Sequence, residues 1–111
     1  MSYTSLELGG RTRGLKFNQH AVITMSKYLD YDNMSATYGY ALIYAGLSAN
    51  CYVKREEVDF TFEQVCDWVD ELKTEHVLKV QEVFQSTQAF QNIIKTEQEQ
   101  PKKKKKTTKQ T

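Results

Sequence analysis

The sequence predicts a mainly α fold (α+β in class): a short N-terminal β-hairpin, about four helices and a disordered Lys-rich C-terminal tail. Three observations carry this. Residues 60–72 hold a helix start signal followed by an apolar stripe at helical spacing. Residues 3–8 and 15–17 alternate apolar and polar residues on either side of a glycine-bearing segment. After Ile94 no apolar residue occurs, and the chain ends in Pro101 and a run of lysines. One helical domain is expected over 1–95, with its hairpin at about 4–17, and a disordered tail over 96–111.

The strand Tyr3 to Leu8 places Leu6 and Leu8 on one face, with Ser5 and Glu7 on the other. Gly9 to Gly14 reads as the turn, and Leu15-Lys16-Phe17 resumes the alternation. The apolar side chains Leu6, Leu8, Leu15 and Phe17 are expected to rest on helices, because an isolated hairpin is marginal in water.

Asn18 is placed to cap a helix over about 19–29, with Ala21, Val22, Met25, Tyr28 and Leu29 at helical spacing. Asp30-Tyr31-Asp32-Asn33 ends it as a turn cluster. Asn33 or Ser35 caps the next helix, about 36–49, which carries no charge between Asp32 and Lys54. Ala41, Leu42, Ala45 and Ala49 form a small-residue face; Tyr40, Tyr44 and Leu47 form an aromatic one. A helix without charges is buried on most sides or contacts a partner.

A connection over 50–60 leads to the helix whose start is the clearest in the chain. Thr61 and Gln64 form a capping box. Phe62, Val65, Val69 and Leu72 make the stripe, with Cys66 beside it and Trp68 widening the buried face. Thr74 is placed to cap a last helix through about Lys95, with the stripe Val77, Val80, Phe84, Thr87, Phe90 and Ile94.

Charge divides the chain. Lys102 to Lys106 and Lys109 supply six of the fifteen basic residues. Residues 1–100 hold nine Lys and Arg against fourteen Asp and Glu, a net −5. An acidic body does not suit a globule that binds nucleic acid through a folded basic face. The lysine run itself offers an alternative function: a small nucleic-acid-associated or regulatory protein gripping phosphates nonspecifically through Lys102, Lys103, Lys104, Lys105 and Lys106. The plain alternative to that is a solvated, solubilising end. No secretory leader is expected from the first residues, so Cys51 and Cys66 are expected to be reduced thiols in the cytoplasm. Tyr38 to Leu47 is the longest weakly polar run and falls far short of the ~20 residues a membrane span needs.

Site motifs are few. Gly9 to Lys16 imitates a phosphate loop, but Leu15 separates Gly14 from Lys16 and Phe17 stands where a hydroxyl belongs. Asp30 and Asp32 begin a calcium-loop pattern that fails at Ser35 and Ala41. His20, His76, Cys51 and Cys66 lack metal-ligand spacing, so no metal or other cofactor is expected. Glu63, Asp67, Asp70 and Glu71 crowd one helix without a partner base, and read as a solvated face. No catalytic residue and no enzymatic activity are expected. The candidate partner-binding residues are Tyr38, Tyr40, Tyr44 and Leu47, together with Trp68, since tyrosine offers contact area at low entropic cost. Weighed against this, the same tyrosines simply close the core with their hydroxyls at its rim.

The order of motifs also carries a resemblance. Leu6-Glu7-Leu8, the Gly9-Gly10 turn and Leu15-Lys16-Phe17-Asn18 are followed by Tyr44-Ala45-Gly46-Leu47. Thr61-Phe62-Glu63-Gln64-Val65 then leads to Trp68-Val69-Asp70. Over about residues 4–95 this resembles the tail assembly chaperones of long-tailed (siphovirus-type) bacteriophages. The resemblance implies a non-enzymatic protein of the host-cell cytoplasm that binds the tape-measure protein and recruits tail tube subunits. A homo-oligomer is compatible with it; a small-molecule substrate and a membrane are not implied. Many members also occur in a longer, frameshifted form, and the A-rich codons for Lys102 to Lys106 would suit a slippery site. The tyrosine content of the second helix has no counterpart in the family pattern.

Overall fold

The hairpin was expected to need a six-residue turn; it needs two. In the computed structural model, which describes residues 3–91 but not the side chains of Tyr31, Met34 and Ser35, β1 (Tyr3–Leu8) pairs antiparallel with β2 (Arg11–Lys16). Only Gly9 and Gly10 lie between them, with φ of 62° and 85°. Two consecutive positive φ values make the tightest hairpin turn that follows the strands' own twist, and glycine adopts them without a Cβ penalty. Arg11 to Gly14, expected in the turn, therefore belong to the second strand. The register sets Leu6 opposite Arg13, Leu8 opposite Arg11 and Thr4 opposite Leu15. Leu8, Leu15 and Phe17 are buried, and Leu6 partly so.

The helices follow in the order foreseen: α1 (Gln19–Tyr28), a 3₁₀ turn over Tyr31–Asn33, α2 (Met34–Lys54), α3 (Phe62–Asp70) and α4 (Thr74–Gln85). The fold is thus mainly α behind an N-terminal two-stranded hairpin. Asn18 caps α1 by accepting from the Ala21 N–H at 3.0 Å. The Thr61–Gln64 capping box of α3 is present in both directions, at 3.1 and 3.0 Å.

Two other caps differ. Asn33 stands before α2 without bonding to it, because its amide donates to Asp30 Oδ2. Thr37 ties this corner instead, donating to the Asn33 carbonyl and accepting from the Asp30 N–H. Lys73 rather than Thr74 occupies the cap position of α4, with no side-chain bond.

α2 is the core element and runs five residues further than the spacing suggested. Every residue from 41 to 50 is buried except half-buried Tyr44. β2, α1, α3 and α4 all pack on it. The helix ends where Arg55 takes the left-handed conformation, φ 58°. Its N–H bonds to the Tyr52 carbonyl and that of Glu56 to Cys51, which closes the last turn. The uncharged stretch is thus explained largely by burial, as a central helix demands.

The last helix also departs from expectation. α4 stops at Gln85. Ser86 and Thr87 hydroxyls bond back to the carbonyls of Val83 and Phe84, and Thr87 Oγ1 then accepts from the Phe90 N–H. A hydroxyl competing for helical carbonyls breaks the run and starts a new turn at 88–91. Ile94, the tail over 96–111 and Lys102 to Lys106 lie outside the described residues.

Candidate partner-binding groove

Along its first two turns α2 presents Ala36, Tyr38, Gly39 and Tyr40 to a cleft closed by Val69 at the end of α3 and by Val77 and Gln81 of α4. The cleft is open, mostly apolar and holds about 620 Å³. Its shape follows from residue size. Gly39 and Ala36 leave the helix surface bare between two tyrosine rings. A Cβ at Gly39 would find only Val77 Cγ1, at 3.7 Å.

The phenol of Tyr40 donates to Asp70 Oδ1 at 2.5 Å, bridging the cleft from α2 to the end of α3. That bond to a carboxylate pushes the Tyr40 phenol above its ordinary range. Burial pushes Tyr38 up as well, against a hydrogen bond with Gln85. Both rings are neutral at pH 7, so the lining is uncharged up to the carboxylate of Asp70.

Of the five expected contact residues, the structure brings two together here, Tyr38 and Tyr40. Tyr44 shares a helical face with Tyr40, yet one turn on that face is covered. Its ring meets Tyr28, Phe62 and Phe60 at 4.8, 5.5 and 5.8 Å between centroids. Burial raises the Tyr44 phenol too. Leu47 is 2% exposed and belongs to the core, so it is withdrawn from any surface. Further along, the same face turns inward beneath neighbouring elements, which spacing along one helix does not reveal.

Trp68 lies elsewhere again. Its ring lies so close to the hairpin turn that a Cβ on Gly9 would sit 2.5 Å from Trp68 Cζ2. The Arg13 guanidinium lies 4.6 Å from that ring. Arg13 also donates from Nε to the Leu8 carbonyl at 3.0 Å and pairs with Asp59 at 3.1 Å. This makes a clasp between the hairpin, α3 and the 55–61 connection. Arg13 holds the Asp59 carboxyl below its usual range. Sequence reading put Arg13 in a turn and missed the clasp. It also missed Gly39, Val77 and Gln81 as groove residues. A glycine between two tyrosines inside a helix was the available signal, because helix-interior glycine marks a close approach or an opening.

The remaining candidates have local explanations. Gly14 and Lys16 lie in β2, not before a helix. Asp30 takes up the Asp32 N–H and the Asn33 amide. His20 stacks on Tyr52 at 4.4 Å, and His76 is half exposed beside Glu75. Glu63, Asp67, Asp70 and Glu71 are all exposed. Cys51 and Cys66 are unpaired and half-buried, and burial raises both thiols. Among the described residues, no three His, Cys, Asp or Glu side chains gather as a metal site. No described helix is long and apolar enough to cross a membrane.

Neither family models, nor characterised sequences, nor solved structures give a match to this chain.

Proposed function

We propose that the chain is a non-enzymatic binding module whose α2–α3–α4 groove holds one face of an amphipathic helix from a partner protein. The observation that carries this is the open apolar cleft of about 620 Å³ bounded by Tyr38, Tyr40, Val69 and Val77. Helix-in-groove recognition uses such a feature: apolar side chains at i, i+3 and i+4 enter the cleft, and rim groups fix orientation. The Tyr40–Asp70 pair supplies the rim groups. The resemblance to tail assembly chaperones names the partner. It is the tape-measure protein, a long helix that aggregates when bare, held in the host-cell cytoplasm until tail tube subunits are recruited. An uncharged, shallow site favours reversible cover over permanent burial, which suits a helper that must let go.

Gly39→Leu tests the groove. The cleft has room for the new side chain, and leucine is a better helix former than glycine. The chain is co-expressed with the tape-measure protein of the same genome and recovered by an affinity tag. Recovery is expected to fall about tenfold, equivalent to 1.4 kcal/mol, with circular dichroism and Tm maintained. Undiminished recovery from a folded Gly39→Leu chain rejects the groove as the site.

A further inference from the structure

The outer edge of β1 is an unfilled half of a sheet. The two-residue turn makes Leu8 and Arg11 the pair that exchanges both backbone bonds, and the register repeats this at Leu6–Arg13 and Thr4–Leu15. Tyr3, Ser5 and Glu7 alternate with them. Their N–H and C=O groups therefore point away from β2, off the free edge. Among the described residues no third strand meets that edge, since the sheet has two strands. Beside it runs a trough of about 470 Å³, lined by Ser5, Leu6 and Glu7 on one side and by Glu71, Leu72, Lys73 and His76 on the other. Folded proteins blunt such edges with charges, lysine above all, with proline, a bulge or a covering element. β1, Tyr-Thr-Ser-Leu-Glu-Leu, carries one charge, Glu7, has no lysine or proline, and its register runs without a bulge.

We propose that β1 pairs antiparallel with β1 of a second copy, joining two hairpins into one four-stranded sheet. The strand is complementary to itself. The outward groups of Tyr3, Ser5 and Glu7 must face the same three residues of the other copy. The longest such register puts Ser5 opposite Ser5 and Glu7 opposite Tyr3. It makes about six backbone bonds, two for each of three pairs. Each Glu7 then stands opposite Tyr3 rather than another carboxylate, and Thr4 opposite Leu6 on the inner side. A register centred on Glu7 would oppose two carboxylates, which is unfavourable. The pairing relieves the marginal stability of a two-stranded sheet. No groove residue takes part in the pairing, because none lies in β1.

Ser5→Pro separates the dimer from the fold. The Ser5 N–H points off the free edge, so proline there deletes a bond to the second copy and none to β2. Ser5→Lys is the second variant: it leaves the backbone intact and opposes two ammonium groups across the two-fold axis. Sedimentation equilibrium of the full chain up to about 0.5 mM, well above the range of specific complexes, reads the result. The unaltered chain is expected to dimerise. Both variants are expected to raise the dissociation constant at least tenfold while keeping the far-ultraviolet dichroism. A monomer over the whole range overturns the proposal. So does a dimer that Ser5→Lys leaves unchanged.

Discussion

Two glycines in α2 invite the same substitution and should answer with opposite signs. In an isolated helix, Gly→Ala stabilises by about 1 kcal/mol at either position, because alanine loses less backbone entropy. At Gly39 the structure lets that gain stand, since the new Cβ would touch only Val77, at ordinary contact distance of 3.7 Å. At Gly46 it would lie 2.7 and 2.8 Å from the Phe17 ring and 3.0 Å from Leu15 Cβ. That ring cannot step aside. Phe17 is 2% exposed and packs against Phe84 with ring centroids 5.6 Å apart. Leu15 is fully buried, and its Cβ is fixed to the strand backbone. Overpacking of this kind costs about 1–3 kcal/mol. Set against the propensity gain, Gly46→Ala should lose up to about 2 kcal/mol while Gly39→Ala gains about 1. The gap between the two, about 1–3 kcal/mol, corresponds to a shift of order 1–2 M in urea midpoint for a chain this size. Urea denaturation followed by Trp68 fluorescence measures it. If Gly46→Ala is as stabilising as Gly39→Ala, the close packing of α2 on the hairpin is wrong.

Arg13→Ala should cost about 1–2 kcal/mol, because it removes the stack on Trp68 and the buried stem between two elements. Arg11→Ala, whose side chain is 62% exposed, should stay within about 0.5 kcal/mol. Equal losses in thermal denaturation would refute the clasp. The phenols of Tyr38, Tyr40 and Tyr44 are all raised in the folded chain. Folding therefore favours their neutral form; that contribution is complete below the unfolded value of about 10 and is lost as pH rises through the higher folded values. Absorbance titration at alkaline pH should show late-ionising tyrosines, and Asp70→Asn should bring Tyr40 forward by removing the negative charge that its O–H bonds to. An unaltered titration in Asp70→Asn would deny that bond.

The amino-acid sequence by itself determined the order of the elements and the starts of α1 and α3. Asn18 and the Thr61–Gln64 box mark helix beginnings because the bonds involved span three residues, so local order suffices. Leu8, Leu15, Phe17, Val65, Val69, Val80 and Phe84 were legible as core from their period along a strand or helix. The lack of charge between Asp32 and Lys54 marked α2 as either central or partner-facing. What the sequence left undecided was which side of that helix stayed open. Tyr40, Tyr44 and Leu47 look equivalent on a helical projection. Only the placement of α1, α3 and the 55–61 connection sends Leu47 into the core, walls Tyr44 among rings and leaves Tyr40 with Tyr38 at a cleft. Arg13 is the same lesson in a strand: reading it as part of a turn was reasonable until Gly9 and Gly10 proved enough to reverse the chain. Periodicity reports the side of an element a residue lies on. The neighbour across that side comes from residues tens of positions away, and packing alone supplies it.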